Sequence, residues 1–241
     1  LREQNKPICR ADTGTEENFS AEDIYHPLLN NPVVNSISCS KNILLTGCNA
    51  SGKSTFLKCI VINAIFAQSF GFAFAKSYKA PFYRIYSSMA LRDDIIAGES
   101  YFMAEIKSIK RILDAADCDE NTSGEVSDVK ILCVIDEVLR GTNTIERICA
   151  STEILKGLSR ENVLVFAATH DRELTKLLEA EYDNYHFSEE ITDDDVRFNY
   201  RLEEGAASSS NAIRLLKLMG FDESITDAAM NRAEQMGMQI D

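Results

Sequence analysis

The sequence predicts an α/β protein with a largely parallel sheet and helices on both faces. Three observations carry this. Short apolar β-type runs alternate with helix-length segments through most of the chain, the pattern that builds parallel strands with helical crossovers. A glycine-rich loop, Gly47-Cys48-Asn49-Ala50-Ser51-Gly52-Lys53-Ser54, joins one such run to one such segment. Two further apolar runs end in Asp136-Glu137 and in Thr169-His170, and sheets of this kind bind ligands at the carboxyl ends of their strands.

Taken in order, residues 1–23 are polar and read as loosely ordered. Compact structure is expected from Tyr25, with His26-Pro27 a bend before an extended segment. Residues 42–46, Asn-Ile-Leu-Leu-Thr, form a β run that ends at Gly47. Residues 54–68 follow at helix length and are apolar nearly all round, which places that helix inside the fold. Residues 82–89 alternate in strand fashion. Residues 100–116 carry Phe102, Met103, Ile106, Ile109, Ile112 and Leu113 at helical spacing. Residues 117–128 read as a polar, acidic loop, and 129–135 as a buried strand. A helix is expected over 145–159, a strand over 162–168 and a helix over 173–180. Segments 184–191 and 196–203 read as a hairpin turning through Thr192-Asp193-Asp194-Asp195. Residues 205–210 form a small-residue linker, and two amphipathic helices, about 211–219 and 224–236, close the sequence.

The chain has 241 residues, enough for one α/β domain with a sizeable core and a small appendage. Its formal net charge is −13, from 25 Lys plus Arg against 38 Asp plus Glu. That balance excludes a free-standing nucleic-acid-coating module, although not the engine of a larger protein whose other domains touch nucleic acid. The opening carries no initiator Met and no apolar leader, and reads as cut from a longer chain. The longest apolar stretch, 59–75, is broken by Asn63, Gln68, Ser69 and Gly71, which fits a buried helix better than a membrane span. Seven cysteines, odd in number and without a C-x-x-C pair, favour reduced thiols in a cytoplasmic protein over a disulfide framework or zinc site.

The pattern G-x-x-x-x-G-K-[ST] between a strand and a helix is a strong phosphate-binding signal. Gly47 and Gly52 allow a tight turn in which consecutive N–H groups face one anion. The helix that follows adds its positive end. Lys53 supplies a point charge for the β and γ phosphates, and the Ser54 hydroxyl a ligand for Mg²⁺. Asp136 is the natural holder of Mg²⁺, through water or directly. Glu137 stands where a general base could polarise an attacking water. A single histidine is more often structural, but His170, beyond a third core strand, is placed to contact the γ-phosphate or orient that water. The polar loop Arg140-Gly141-Thr142-Asn143-Thr144 is either a contact to a partner subunit or a capped helix start.

Together these segments resemble one family: the ATPase region, domain V, of MutS-type DNA mismatch-repair proteins, a branch of the ABC-type ATPases. The stretch from Thr46 through Ser54 to Thr55-Phe56-Leu57 resembles the family's phosphate loop. Gly98-Glu99-Ser100-Tyr101-Phe102-Met103-Ala104-Glu105 resembles its signature loop. Asp136-Glu137-Val138-Leu139-Arg140-Gly141-Thr142-Asn143-Thr144 resembles its acidic strand end, and Ala168-Thr169-His170-Asp171-Arg172-Glu173-Leu174 its histidine switch. Tyr25-His26-Pro27-Leu28-Leu29 is similar to the segment before the first core strand, and Glu204-Gly205-Ala206-Ala207-Ser208-Ser209-Ser210-Asn211-Ala212 to the link into the C-terminal helices.

The resemblance implies a P-loop fold of ABC-ATPase type, divided into a polar N-terminal segment 1–24, an ATPase domain 25–204 and a C-terminal helical dimerisation segment 205–241. It implies ATP and Mg²⁺ as cofactors and a head-to-tail homodimer with composite sites. Each site would take residues 47–55, Asp136, Glu137 and His170 from one copy and Ser100 in trans from the other. Within the 47–55 segment, Asn49 and Thr55 would join the nucleotide contacts. DNA would be met through domains outside this chain. A nucleotide-gated switch with little hydrolysis is the other reading the sequence allows. Transporter-type relatives of the superfamily carry an L-S-G-G-Q-like signature, which this sequence lacks. The chain departs from the family at Cys48 (usually proline), Ser51 (glycine or alanine), Tyr101 (threonine), Leu139 (glycine) and Ile145-Glu146-Arg147. The family's base-stacking aromatic has no counterpart within residues 30–40.

Overall fold

A computed structural model describes residues 6–14, 17–89, 101–121, 130–191, 196–207 and 212–235. The strands are β1 (Cys9–Arg10), β2 (Asp12–Thr13), β3 (Ser20–Ile24), β4 (Asn35–Ser38), β5 (Asn42–Thr46), β6 (Phe72–Ala73), β7 (Ser77–Ala80), β8 (Tyr83–Ser88), β9 (Lys130–Asp136), β10 (Val163–Ala168), β11 (Tyr182–Ile191) and β12 (Val196–Glu204). The helices are α1 (Lys53–Phe70), α2 (Tyr101–Asn121), α3 (Thr144–Leu158), α4 (Glu173–Leu177), α5 (Ala212–Leu218) and α6 (Glu223–Gln235).

The main sheet has six strands in the order β12-β11-β5-β10-β9-β8. β8, β9, β10, β5 and β11 run parallel, and β12 pairs antiparallel with β11 at the edge. Strands buried on both faces read as continuous apolar runs, which is why β5 and β9 were legible. The period of two sorts their side chains between two cores. Leu132 and Val134 of β9 join Ile43 and Leu45 of β5 beneath α1. Ile131, Cys133 and Ile135 face the other way, onto Ile109 and Ile112 of α2 and Leu155 and Leu158 of α3. Helices therefore cover both faces, as expected. Among the described residues no helix is long and apolar enough to cross a membrane.

Residues 6–14 and 17–23 differ from the expectation of loose order. A four-stranded sheet, β2-β7-β3-β4, sits on the α1 side, and β1 pairs with β6. Composition misled here because much of the order comes from distant pairing partners, such as Ala21 opposite Tyr78. Phe19 locks the two sheets together, edge-on to Tyr78 at 5.5 Å and to Phe166 at 5.7 Å between ring centroids.

Two boundaries also move. The expected loop 117–128 begins later, because α2 runs on to Asn121; the Arg160 guanidinium donates to the carbonyl of Ala116 and pairs with Asp117. Conversely α4 stops at Leu177, short of 180. β11 must start at Tyr182 so that its buried ring can donate its hydroxyl to Leu155 O, at 2.9 Å. The hairpin of β11 and β12 forms, while its turn at 192–195 lies outside the described residues, as do 208–210 of the linker.

Asn63 explains the polar interruption in the apolar stretch. It is fully buried on α1. Its amide donates to Tyr25 O at 3.1 Å and Cys59 O at 3.0 Å, and its oxygen accepts from Phe74 N at 2.7 Å. Asn63→Leu leaves buried backbone groups of Tyr25 and Phe74 unpaired, each worth about 1–3 kcal/mol. We expect a loss of about 2–4 kcal/mol, read as a lower urea midpoint at unchanged m-value.

Candidate functional site at the carboxyl edge of the sheet

The site is built where β5, β9 and β10 end side by side. Leu45 of β5 pairs with Ala168 of β10, and Ala168 with Asp136 of β9. Everything just beyond those three residues is thereby brought to one edge. Backbone bonds continue past the strands: Glu137 N donates to Ala168 O at 3.0 Å, and Thr169 N to Leu45 O at 2.9 Å.

From β5 the chain turns through residues 47–52 into α1. Gly47 has φ +137°, and a Cβ there would lie 2.7 Å from Phe187 O; only glycine fits. Gly52, at φ +113°, caps α1 without a side-chain bond. The first turn of α1 holds no acidic residue, so its N–H groups and positive end face the loop unopposed. Lys53 folds back over this loop, and its ammonium donates to Gly47 O at 2.6 Å and Cys48 O at 2.9 Å. Burial pushes the Lys53 amine below its ordinary range, against the pull of Glu137, Cys48 and Asp136. Burial raises the Cys48 thiol to about 11, helped by Glu189, so this departure places a neutral group in the loop.

Opposite the loop, Asp136 presents an oxygen, Oδ1, that is buried and has no hydrogen-bond partner among the described residues. Ser51 Oγ is in the same condition. Glu137 adopts φ +67° and Leu139 φ +58°, left-handed conformations that cost non-glycine residues about 1–3 kcal/mol each. The Glu137 carboxylate is held twice: Oε1 lies 2.5 Å from His170 Nε2, and Oε2 pairs with Arg140 Nε. Burial pushes Glu137 up, but the His170 and Arg140 interactions outweigh it and leave the carboxyl below its usual range. His170 is steadied by its neighbour, since Asp171 is gripped by Arg147 at 2.7 and 2.5 Å and its N–H donates to Thr169 Oγ1.

A cavity of about 490 Å³ opens over these groups. Residues 48–55, Glu137 and His170 line it. Gly47 and Asp136 are not among its lining residues, although Asp136 is near enough to Lys53 to act on its charge. Ser100 lies outside the described residues. The loop after Glu137 does end in a capped helix start, for Asn143 Oδ1 accepts from Ile145 N at 3.0 Å.

Among the cavity residues that sequence reasoning did not assign to the site, two stand out. Arg140 was visible in the motif, but its clasp on Glu137 depends on the turn through Leu139. Tyr200, half exposed at 45 %, lines the cavity from the far end of the chain. The β11–β12 register jumps at this point, with Phe187 opposite Leu202 but Glu189 opposite Phe198. The resulting bulge gives Tyr200 φ +55°. Asn35 pins it, donating to Tyr200 O at 3.1 Å and accepting from Leu202 N at 2.7 Å. Bulges re-aim side chains; here a Cβ on Gly52 would lie 3.2 Å from the Tyr200 ring.

The arrangement defines a class first: an α/β protein with a strand–loop–helix anion cradle facing an acidic strand end. Residues 43–237 match the family model of MutS domain V, and the chain belongs to the MutS family. It is 33% identical over 192 residues to the DNA mismatch repair protein MutS of Natronomonas pharaonis, covering 77% of this chain and 21% of that protein. It is 30% identical over 225 residues to the DNA mismatch repair protein MutS 2 of Haloarcula marismortui, 92% of this chain and 21% of that protein. Against the DNA mismatch repair protein MutS of Rickettsia rickettsii the figures are 34% over 202 residues, 82% and 21%. The chain thus spans about a fifth of the length of these relatives.

Proposed function

We propose that this chain is an ATP-binding and ATP-hydrolysing module of ABC-ATPase type, working within a larger DNA-mismatch-repair protein. The observation that carries the reading is convergence. A lysine ammonium and a carboxylate–imidazole pair line one cavity beside an unopposed helix start, and an orphaned aspartate oxygen stands within electrostatic reach of that ammonium. Such a set suits a nucleoside triphosphate with a divalent cation. Residues 47–55 would cradle the phosphates, with the Lys53 charge transferred to them from the loop carbonyls. Ser54 and Asp136 would hold Mg²⁺, which when bound neutralises phosphate charge and aligns the reacting oxygens. The lone buried Asp136 oxygen fits that role, because hard cations take carboxylate oxygens. Glu137 would polarise the attacking water and His170 orient it.

Two copies would complete the site, with Ser100 of each contributed in trans. Met219, Phe221 and Ile225 leave apolar surface exposed around α5 and α6, which supports a dimerising role for residues 205–241. DNA contact and mismatch reading would belong to other parts of the larger protein, in the cytoplasm. A second reading, a nucleotide-gated switch with little hydrolysis, is favoured by one observation: the His170 and Arg140 contacts hold the Glu137 carboxyl below its usual range, which makes it a weaker base. Turnover of the full-length protein decides between the two.

Tyr200 supplies the base-stacking surface that residues 30–40 lack. Aromatic stacking on a base is worth about 1–3 kcal/mol, so Tyr200→Leu is expected to weaken ATP binding roughly tenfold. Inorganic tripolyphosphate, which has no base, is expected to bind both proteins alike. Calorimetric titration with the two ligands tests this. Failure of ATP to bind wild-type protein would remove the nucleotide reading altogether.

A further inference from the structure

We infer that Glu105 is a positioning residue that holds the Glu137 turn in its working shape. The inference rests on the reading of Glu137 as general base. Glu105 lies in the second turn of α2 and is 1 % exposed, an unusual place for a carboxylate. Its two oxygens accept from Arg140 N, Oε2 at 3.1 Å and Oε1 at 3.4 Å. Burial raises its carboxyl, while hydrogen bonds from the backbone of Arg140 and Leu139 pull it down.

The turn it grips is the one with left-handed φ at Glu137 and Leu139. Such a conformation persists only when its surroundings over-determine it. Its start is pinned by Glu137 N on Ala168 O, and its middle by Ser151 Oγ on Val138 O at 3.3 Å. Glu105 pins its end. A second contact from the same helix face agrees. Phe102, three residues before Glu105, packs on Gly141 so closely that a Cβ there would sit 3.2 Å from the ring. Arg140 is therefore held at its backbone by α2 while its side chain holds Glu137. The grip depends on an acceptor reaching the turn, and a small misplacement of a reacting group costs turnover steeply.

The test compares Glu105→Ala, Glu105→Asp and Glu105→Gln in the full chain. Single-turnover hydrolysis with protein in excess is measured beside ATP affinity. Glu105→Ala is expected to slow hydrolysis roughly tenfold or more with ATP affinity unchanged. Glu105→Gln keeps an acceptor at the same reach and is expected to stay near wild type. Glu105→Asp keeps the charge but falls short of the turn, and is expected to behave as Glu105→Ala. Should Glu105→Ala fail to fold, the contrast between Asp and Gln decides. Wild-type hydrolysis in Glu105→Asp, Gln as slow as Asp, or ATP affinity falling in parallel with turnover would each overturn the inference. Glu137→Gln is run alongside. If it too hydrolyses normally, the general-base reading falls and this inference with it; if it is inactive while the Glu105 variants are not, only this inference falls.

Discussion

Lys53→Ala protein is expected to lose ATP binding by a hundredfold or more and to hydrolyse nothing measurable. Lys53 is buried, and the hydrogen-bond partners of its ammonium among the described residues are carbonyl oxygens of its own loop. Burial already disfavours its charge, so a polyphosphate is a far better partner than those carbonyls. Hydrogen bonds to charged groups contribute about 1.5–3 kcal/mol each, and the ammonium can reach more than one phosphate oxygen. Two such bonds correspond to roughly 150-fold or more in affinity. The fold should survive. Alanine removes two loop bonds but also a desolvated charge, and these effects oppose each other. The check is thermal melting with and without Mg²⁺-ATP: equal midpoints without nucleotide, and an upward shift with ATP in wild type alone. Turnover at the wild-type rate in Lys53→Ala would remove the phosphate-loop reading.

Much of this site was legible because it lies in short sequence-local units. A strand, a turn needing glycine and a helix are specified within residues 42–70, and the apolar run of β9 necessarily delivers Asp136 and Glu137 to its end. The parallel register then does the rest. Once Ala168 pairs with Asp136, His170 and Glu137 emerge as neighbours, although 33 positions separate them in the chain. Tyr200 was not legible for the opposite reason. Its place depends on a bulge, on Asn35 from a different sheet and on a left-handed backbone angle that tyrosine seldom adopts. No local pattern encodes a contact between residues 35 and 200. Glu105 was visible within a motif but silent as to role, because its burial depends on how α2 lies against the 139–141 turn.

The same contrast bears on Glu137. In this structure its carboxylate is clasped by His170 on one oxygen and Arg140 on the other, which leaves each oxygen a lone pair that can accept from water. Glu137→Gln keeps the shape and the His170 contact but cannot accept a proton. It is expected to slow hydrolysis by about 10²–10⁴-fold, the usual contribution of a general base, while ATP still binds. Arg140 loses its ion-pair partner in that variant, so affinity should rise slightly rather than fall, because a freed cation faces the same cavity. On the proposed composite site, unhydrolysed ATP keeps two copies joined, so sedimentation velocity should show Glu137→Gln dimerising with Mg²⁺-ATP. Lys53→Ala, which cannot hold the nucleotide, should stay monomeric under the same conditions. ATP that is bound and unhydrolysed in Glu137→Gln without any association would keep the general base but sink the composite site. Unchanged turnover would instead favour His170 or a bound water as the base, and return Glu137 to a structural role beside Arg140.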